Sequence, residues 1–246
     1  MMVPEQIYTR SKRKVRRMKR GIQCFVLAAF CALPMLAAAE VHGVYIAPKF
    51  LLGIQDSGQV SSPKIFNDHG GRAYQQYSQA VCGGALAVGY NFAPKFNVPV
   101  RTEIEFALRS NSSNTRNGSD GGVGWNTKQT TNLSTLFFNA YFDINTGTPF
   151  TPYIGGGLGM AFNYIELKGE ASDGVRYESI SRNRHDTTFA WNVGAGVSYA
   201  FTENVSVDLG YRFIGTGYRE IKAGGQKMYG SAPYINEFYL GARFTF

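Results

Sequence analysis

The chain has 246 residues, enough for one large or two small domains, with Lys+Arg 25 against Asp+Glu 17 and a formal net charge of +8. That excess sits at one end: Arg10, Lys12, Arg13, Lys14, Arg16, Arg17, Lys19 and Arg20 precede residue 40, where the only acid is Glu5. Subtracting these 8 bases and 1 acid leaves 17 against 16, so no basic body remains for a nucleic-acid partner.

The basic stretch runs through Arg20 into an apolar segment from Ile22 to Leu36 and then Ala37-Ala38-Ala39, where Ala37 and Ala39 make an A-x-A cleavage signal. Residues 1–39 are therefore expected to be a signal peptide that is removed, leaving 40–246 as the mature domain. The apolar run is too short and too close to the cleavage site for a stable spanning helix; an uncleaved anchor is the alternative. Met18-Lys19-Arg20 makes an ordinary signal start as well, so Met1 and Met18 both stand as starts. Cys24 and Cys31 leave with the signal. Cys82 alone builds neither an internal disulfide nor a zinc site, and reads as a small apolar filler. No later run of about 20 apolar residues exists, so any membrane crossing must use strands.

The rest of the chain alternates with period two. In the first segment, Gly43 to Gln55, Val44, Ile46, Pro48, Phe50, Leu52 and Ile54 oppose Tyr45, Ala47, Lys49, Leu51 and Gly53; Pro48 costs it one ladder bond. Asp56 to Gln79 reads as a long polar loop. Cys82 to Phe92 follows, then a short turn through Pro94 and Pro99. Val100 to Ser110 sets Val100, Thr102, Ile104, Phe106 and Leu108 against Arg101, Glu103, Glu105, Ala107 and Arg109. Asn111 to Thr130 reads as a second long loop. Leu136 to Asp143 alternates again, and Asn145 to Pro149 turns the chain. Thr151 to Asn163 sets Ile154, Leu158, Met160 and Phe162 against Tyr153, Gly155, Gly157, Gly159 and Ala161. Glu166 to Asp186 is the third loop. Phe189 to Phe201 and Val205 to Phe213 flank the tight turn Thr202-Glu203-Asn204, and Gly215 to Pro233 loops out. The closing stretch, Tyr234 to Phe246, places Phe238, Leu240, Ala242, Phe244 and Phe246 opposite Glu237, Tyr239, Gly241, Arg243 and Thr245.

That makes eight strands whose connections run long, short, long, short, long, short, long. A soluble sandwich has no reason to sort loop length by parity, whereas an outer-membrane barrel has short periplasmic turns, long external loops and an even strand number. Closure also pairs every backbone group while lipid covers the apolar side. The expected fold is all-β, an eight-stranded antiparallel transmembrane up-and-down β-barrel.

The outward faces carry no Asp, Glu, Lys or Arg, as lipid contact demands. Aromatics gather near the strand ends, with Phe92, Phe142, Phe201, Phe244 and Phe246 at one end and Phe162, Phe189, Trp191, Phe213 and Phe238 at the other. Inward fall Lys49, Arg101, Arg109, Arg212 and Arg243 against Glu103, Glu105, Asp143, Asp208 and Glu237. An eight-stranded barrel is only wide enough for its own side chains, so these charges are expected to pair inside and plug it. Inward glycines at 83, 89, 155, 157, 159, 194, 196, 210 and 241 are expected to make room for the long Arg and Glu side chains.

Arg101-Thr102-Glu103-Ile104-Glu105-Phe106, Pro152-Tyr153-Ile154-Gly155-Gly156-Gly157-Leu158-Gly159, Leu209-Gly210-Tyr211-Arg212-Phe213 and Gly241-Ala242-Arg243-Phe244-Thr245-Phe246, in that order, resemble the small eight-stranded outer-membrane barrels typified by the OmpA membrane domain and the opacity and surface-antigen proteins of the porin family. The resemblance covers residues 43–246. It implies a Gram-negative outer-membrane location, reached through the periplasm with its chaperones. It also implies that the last strand, with Tyr239, Gly241, Phe244 and Phe246, is the signal read by the insertion machinery. The sequence departs from full-length OmpA in showing no peptidoglycan-binding domain after the barrel, so cell-wall anchoring is not implied.

Gly155 to Gly159 is only superficially a nucleotide loop, since no helix follows it. Asp68-His69 and His185-Asp186 fall in two different loops, where nothing fixes their mutual geometry. No cofactor, metal or catalytic residue is expected. The expected function is a non-enzymatic surface barrel, structural or adhesive, whose loops contact a host or environmental protein or glycan while its wall contacts outer-membrane lipids. A lipid-modifying or hydrolytic barrel using the loop His and Asp residues, and a small-solute porin, are the alternatives.

Overall fold

The computed structural model describes residues 43–56, 78–120, 123–172, 177–217, 219–223, 226–230 and 234–246. The expected signal peptide with Ala37 and Ala39, and Asp68 and His69 of the first long loop, lie outside these residues.

Twelve elements follow in order: β1 (Val44–Asp56), β2 (Ser78–Asn91), a one-turn helix α1 (Ala93–Phe96), β3 (Val100–Arg109), β4 (Ser112–Asp120), β5 (Val123–Asp143), β6 (Phe150–Ser172), β7 (Tyr177–Ala200), β8 (Val205–Thr216), β9 (Arg219–Ala223), β10 (Gln226–Gly230) and β11 (Tyr234–Thr245). Pairing runs β1–β2–β3–β5–β6–β7–β8–β11 and returns from β11 to β1, antiparallel throughout. The sheet is thus closed into the expected eight-stranded barrel. Closure removes the sheet edges that lipid cannot satisfy. The register of β1 with β11 is interrupted at Ala47 and Pro48, while its register with β2 runs through both. Proline lacks the N–H a ladder needs, so it is tolerated on one side of the strand only.

Parity sorts the two faces as the alternation predicts. Phe50, Leu52, Ile54, Ile104, Phe138, Ile154, Leu158, Val193, Leu209, Phe238 and Leu240 lie exposed on the outer wall, and their inward neighbours are buried or half-buried. Cys82 is exposed on that wall. Its outward parity, shared with Leu86 and Val88 on β2, is the physical reason.

The three short connections behave as turns. Residues 92–99 hold α1 with Pro94 in its first turn and Asn97 in the left-handed region at φ 54°. Asn145 to Pro149 bends at Gly147, φ 70°. In the third, Thr202 Oγ1 accepts hydrogen bonds from the Asn204 and Val205 amides.

The long connections are a correction. Asn111 to Thr130 is not an irregular loop but a β-hairpin: β4 pairs with the outer half of β5 from Ser112↔Thr131 to Asp120↔Val123. Glu166 to Asp186 continues β6 and β7, which stay paired to Ser172↔Tyr177. Gly215 to Pro233 contains the separate β9–β10 hairpin. β5, β6 and β7 reach 21, 23 and 24 residues, against about 9–11 for a tilted strand that crosses a bilayer. Half of each therefore stands beyond the barrel on the side opposite the short turns.

Candidate functional site

Two regions carry chemistry: the lumen, and the two hairpin arms, β4–β5 and β6–β7, that stand beyond it. The cross-strand register stacks the lumen in tiers.

The tier nearest the short turns holds Arg101, Asp143, Asp208, Arg243, Ser198 and Tyr45. Arg101 grips Asp143 from two nitrogens, Nε at 2.7 Å and Nη2 at 2.9 Å, and its guanidinium lies 4.9 Å from the Tyr153 ring centroid. Asp208 has looser company, 3.5 Å from Arg243 Nη2 and 3.9 Å from Arg101 Nη1.

The central tier is tight. Lys49 Nζ donates to Glu103 Oε1 at 2.5 Å and to Glu105 Oε2 at 2.7 Å, and Arg212 Nη1 donates to Glu105 Oε1 at 2.7 Å. Glu103 also accepts from the Tyr141 hydroxyl at 2.9 Å, from Asn139 Nδ2 at 3.2 Å and from the Tyr45 hydroxyl at 3.2 Å. Arg212 Nε and Arg109 Nε converge on the two oxygens of Glu237 at 2.8 and 2.6 Å. Isolated charges this deep would cost several kcal/mol each, so the fold holds Glu103, Glu105 and Glu237 by giving each more than one donor.

Beyond the ions lies an apolar cluster of Leu133, Phe137, Ala161, Ala190, Ile214 and Ile235. A rim of buried polar groups, among them Gln55, Asp56, Ser112, Thr131, Asn163 and Thr216, tops it.

The glycine expectation needs amendment. Gly89, Gly155, Gly196 and Gly210 make room for tyrosine rings, not for Arg or Glu: each pairs directly with Tyr45, Tyr141, Tyr153 or Tyr239 on the next strand, and a Cβ would strike that ring. Gly157 makes room for the amides of Asn139 and Asn192. Gly194 does lie against Arg212, and a Cβ on Gly241 would meet Lys49 Cγ at 3.1 Å. The tyrosines are lumen residues that charge counting overlooks; their inward parity was the signal.

Of the four residues assigned to the insertion signal, Tyr239 and Gly241 face the lumen. The Tyr239 hydroxyl shares a hydrogen bond of 3.0 Å with that of Tyr153. Phe244 is exposed outward and Phe246 follows the end of β11.

On the arms, the His185 ring packs on Tyr164, centroids 4.7 Å apart, and Lys168 pairs with Glu166 at 3.0 Å. Among the described residues no group of His, Cys, Asp and Glu has metal-site geometry.

A family described as outer membrane protein beta-barrel domain matches residues 24–246. The outer membrane protein PagN of Salmonella typhimurium (strain LT2) is 28% identical over 242 residues, covering 89% of this chain and 98% of that protein. A protein of Rickettsia bellii (strain RML369-C) described as "Putative adhesin" is 24% identical over 149 residues, 60% of this chain and 64% of its own length. The crystal structure of Neisserial surface protein A is 18% identical, covers 83% of this chain and 99% of that one, and superimposes with a TM-score of 0.46.

Proposed function

We propose, for a chain that belongs to the outer membrane protein beta-barrel family and resides in the Gram-negative outer membrane, that its working surface is the pair of hairpin arms, used for adhesive contact with a host or environmental protein or glycan.

The observation that carries this reading is the reach of the arms. The β5–β6 register continues to Gly124↔Ser172 and the β6–β7 register to Ser172↔Tyr177, well past Phe162 and Phe189, where the outward apolar belt stops. Folding a barrel does not require such extensions, and a rigid scaffold holding them up is how binding surfaces are commonly built. The Rickettsia relative's description supports the adhesive use. The filled lumen supports a contact role over a porin: tightly paired charges and an apolar cluster leave little room for a solute path. Among the described residues no comparable arrangement supports catalysis: His185 rests on Tyr164 and stands exposed on the outer face of β7.

Transplanting residues 111–130 and 166–186 onto a non-adhesive eight-stranded barrel should transfer attachment to host cells or a glycan array. Excising them here should abolish attachment while the heat-modifiable gel shift of the folded barrel persists. Attachment that survives excision would leave a purely structural role.

A further inference from the structure

The two sides of β7 are paired to different lengths. Its register with β6 runs out to Ser172↔Tyr177, whereas its register with β8 ends at Ala190↔Thr216. The last bond on the β8 side is the Gly217 N–H donating to Phe189 O at 2.8 Å. In an antiparallel ladder the N–H and C=O of one residue point to the same side, and those of the next residue to the other. Phe189 faces β8, so Thr187, His185, Asn183 and Ser181 turn their backbone groups to that side as well, where no described strand pairs with them. All four residues are exposed, and neither Pro nor Gly interrupts Tyr177 to Phe189. Such an edge is a template for another strand.

The chain's own continuation does not fill it. β9 follows β8 just after Gly217, yet among the described residues it pairs with β10 alone. Continuing the β7–β8 register would set Asp186 opposite Glu220 and Arg184 opposite Lys222, two like-charge pairs in succession on one face. Like charges directly opposite destabilise a ladder, which accounts for the pairing stopping at Phe189. The other edge of the arm sheet, on β4, is less open. There the Ser113 N–H already donates to Gln79 Oε1 at 2.9 Å, and Gly118 weakens the strand.

We propose that the outer half of β7, from Ser181 to Thr187, is the acceptor for an extended polypeptide of the partner, which adds to the β4–β5–β6–β7 sheet as a further strand. This deepens the adhesive reading of the arms and rests on it. Backbone N–H and C=O groups recurring at every second residue are matched along their length by another extended backbone, so a polypeptide fits this edge and a glycan does not. The side-chain pattern narrows the class. Arg182 and Arg184 share one parity and Asp186 follows on it, so the incoming strand carries two acidic residues two positions apart and then a base. Ser181, Asn183, His185 and Thr187, on the other parity, are polar and suit Ser or Thr opposite them.

The test uses the full chain in lipid nanodiscs and a synthetic peptide in which threonine alternates with aspartate, aspartate and lysine in turn. Two control peptides carry N-methyl groups on its odd or its even backbone amides, one set of which faces β7 whichever way the strand runs. Without peptide, the Ser181, Asn183, His185 and Thr187 amides should exchange fast with deuterium, and those of Arg182, Arg184 and Asp186, which face β6, slowly. The peptide and one control should slow the fast set, and the other control should not. Equal effects of the two controls, or slow exchange at every position before peptide is added, overturn the proposal. Glu220→Lys combined with Lys222→Glu should close the edge with β9 itself, since opposite charges then lie across from Asp186 and Arg184 while an acid faces Lys227 in the β9–β10 hairpin. That variant should lose the peptide and keep the folded gel shift; undiminished peptide binding counts against the acceptor edge. Should it fail to fold, the peptides on the unaltered chain decide. Attachment lost on excising the arms, yet untouched by excess peptide, would keep the arms adhesive through a glycan and refute the strand acceptor alone.

Discussion

Tyr239 on β11 stands directly across from Gly210 on β8, and its ring occupies the space that a Cβ on Gly210 would fill. The same relation recurs for Tyr45 over Gly89, Tyr141 over Gly155 and Tyr153 over Gly196. A glycine weakens a strand because it has nothing to pack, and an aromatic lying across it covers the bare backbone. Four such pairs let bulky rings lie flat against a narrow wall and still bring their hydroxyls to Glu103 and to one another.

Gly210→Ala should therefore destabilise the barrel by overpacking, at a cost of about 1–3 kcal/mol. Urea unfolding followed by the gel shift measures it. In a Tyr239→Ala background the Gly210→Ala penalty should be smaller, because the ring that a Cβ would strike is gone. An identical Gly210→Ala penalty with and without the ring would mean that the contact is not what matters.

Glu105→Gln should cost more. Glu105 is wholly buried and takes both Lys49 and Arg212 at 2.7 Å, so its neutralisation leaves two cations short of a counter-charge; breaking a buried pair in this way costs about 3–5 kcal/mol. Glu166→Gln, which loosens the exposed Lys168 pair, should change stability by less than about 1 kcal/mol. Equal effects of the two substitutions would contradict the ledger of buried and exposed pairs.

Leu158→Arg addresses the outer wall. Leu158 is 62% exposed midway along the apolar belt of β6, and an arginine at such depth in lipid costs about 2–4 kcal/mol. Assembly into the membrane should fall sharply. Val98→Arg, in the short turn beside α1, should assemble nearly normally, with a cost of about 0–1 kcal/mol near the interface. Normal assembly of Leu158→Arg would show that lipid does not cover that face.

Purified barrel in planar bilayers should show no large, steady conductance. The ion tier and the apolar cluster behind it both lie across the path. A stable open level from a monomer would mean that the lumen is not filled in the membrane.

Much of the barrel was legible from alternation, because side chains of an extended backbone change face at each residue and lipid on one side forbids charge there. The arms were not legible for the same reason turned around. From Asn111 to Thr130 no apolar period marks the hairpin, and its Asn, Thr, Gly and Ser read as loop. Its strands form because the ladder already begun by β5, β6 and β7 continues outward residue by residue.

By itself, then, the sequence determined which residues face inward, how many bases and acids meet there, and that they balance. Which base meets which acid belonged to the tertiary structure. Arg109 and Glu237 lie 128 positions apart, and Arg212 divides itself between Glu105 and Glu237. Facing is a local property of extended chain, while partners across a lumen depend on how the strands slide past one another when the sheet closes.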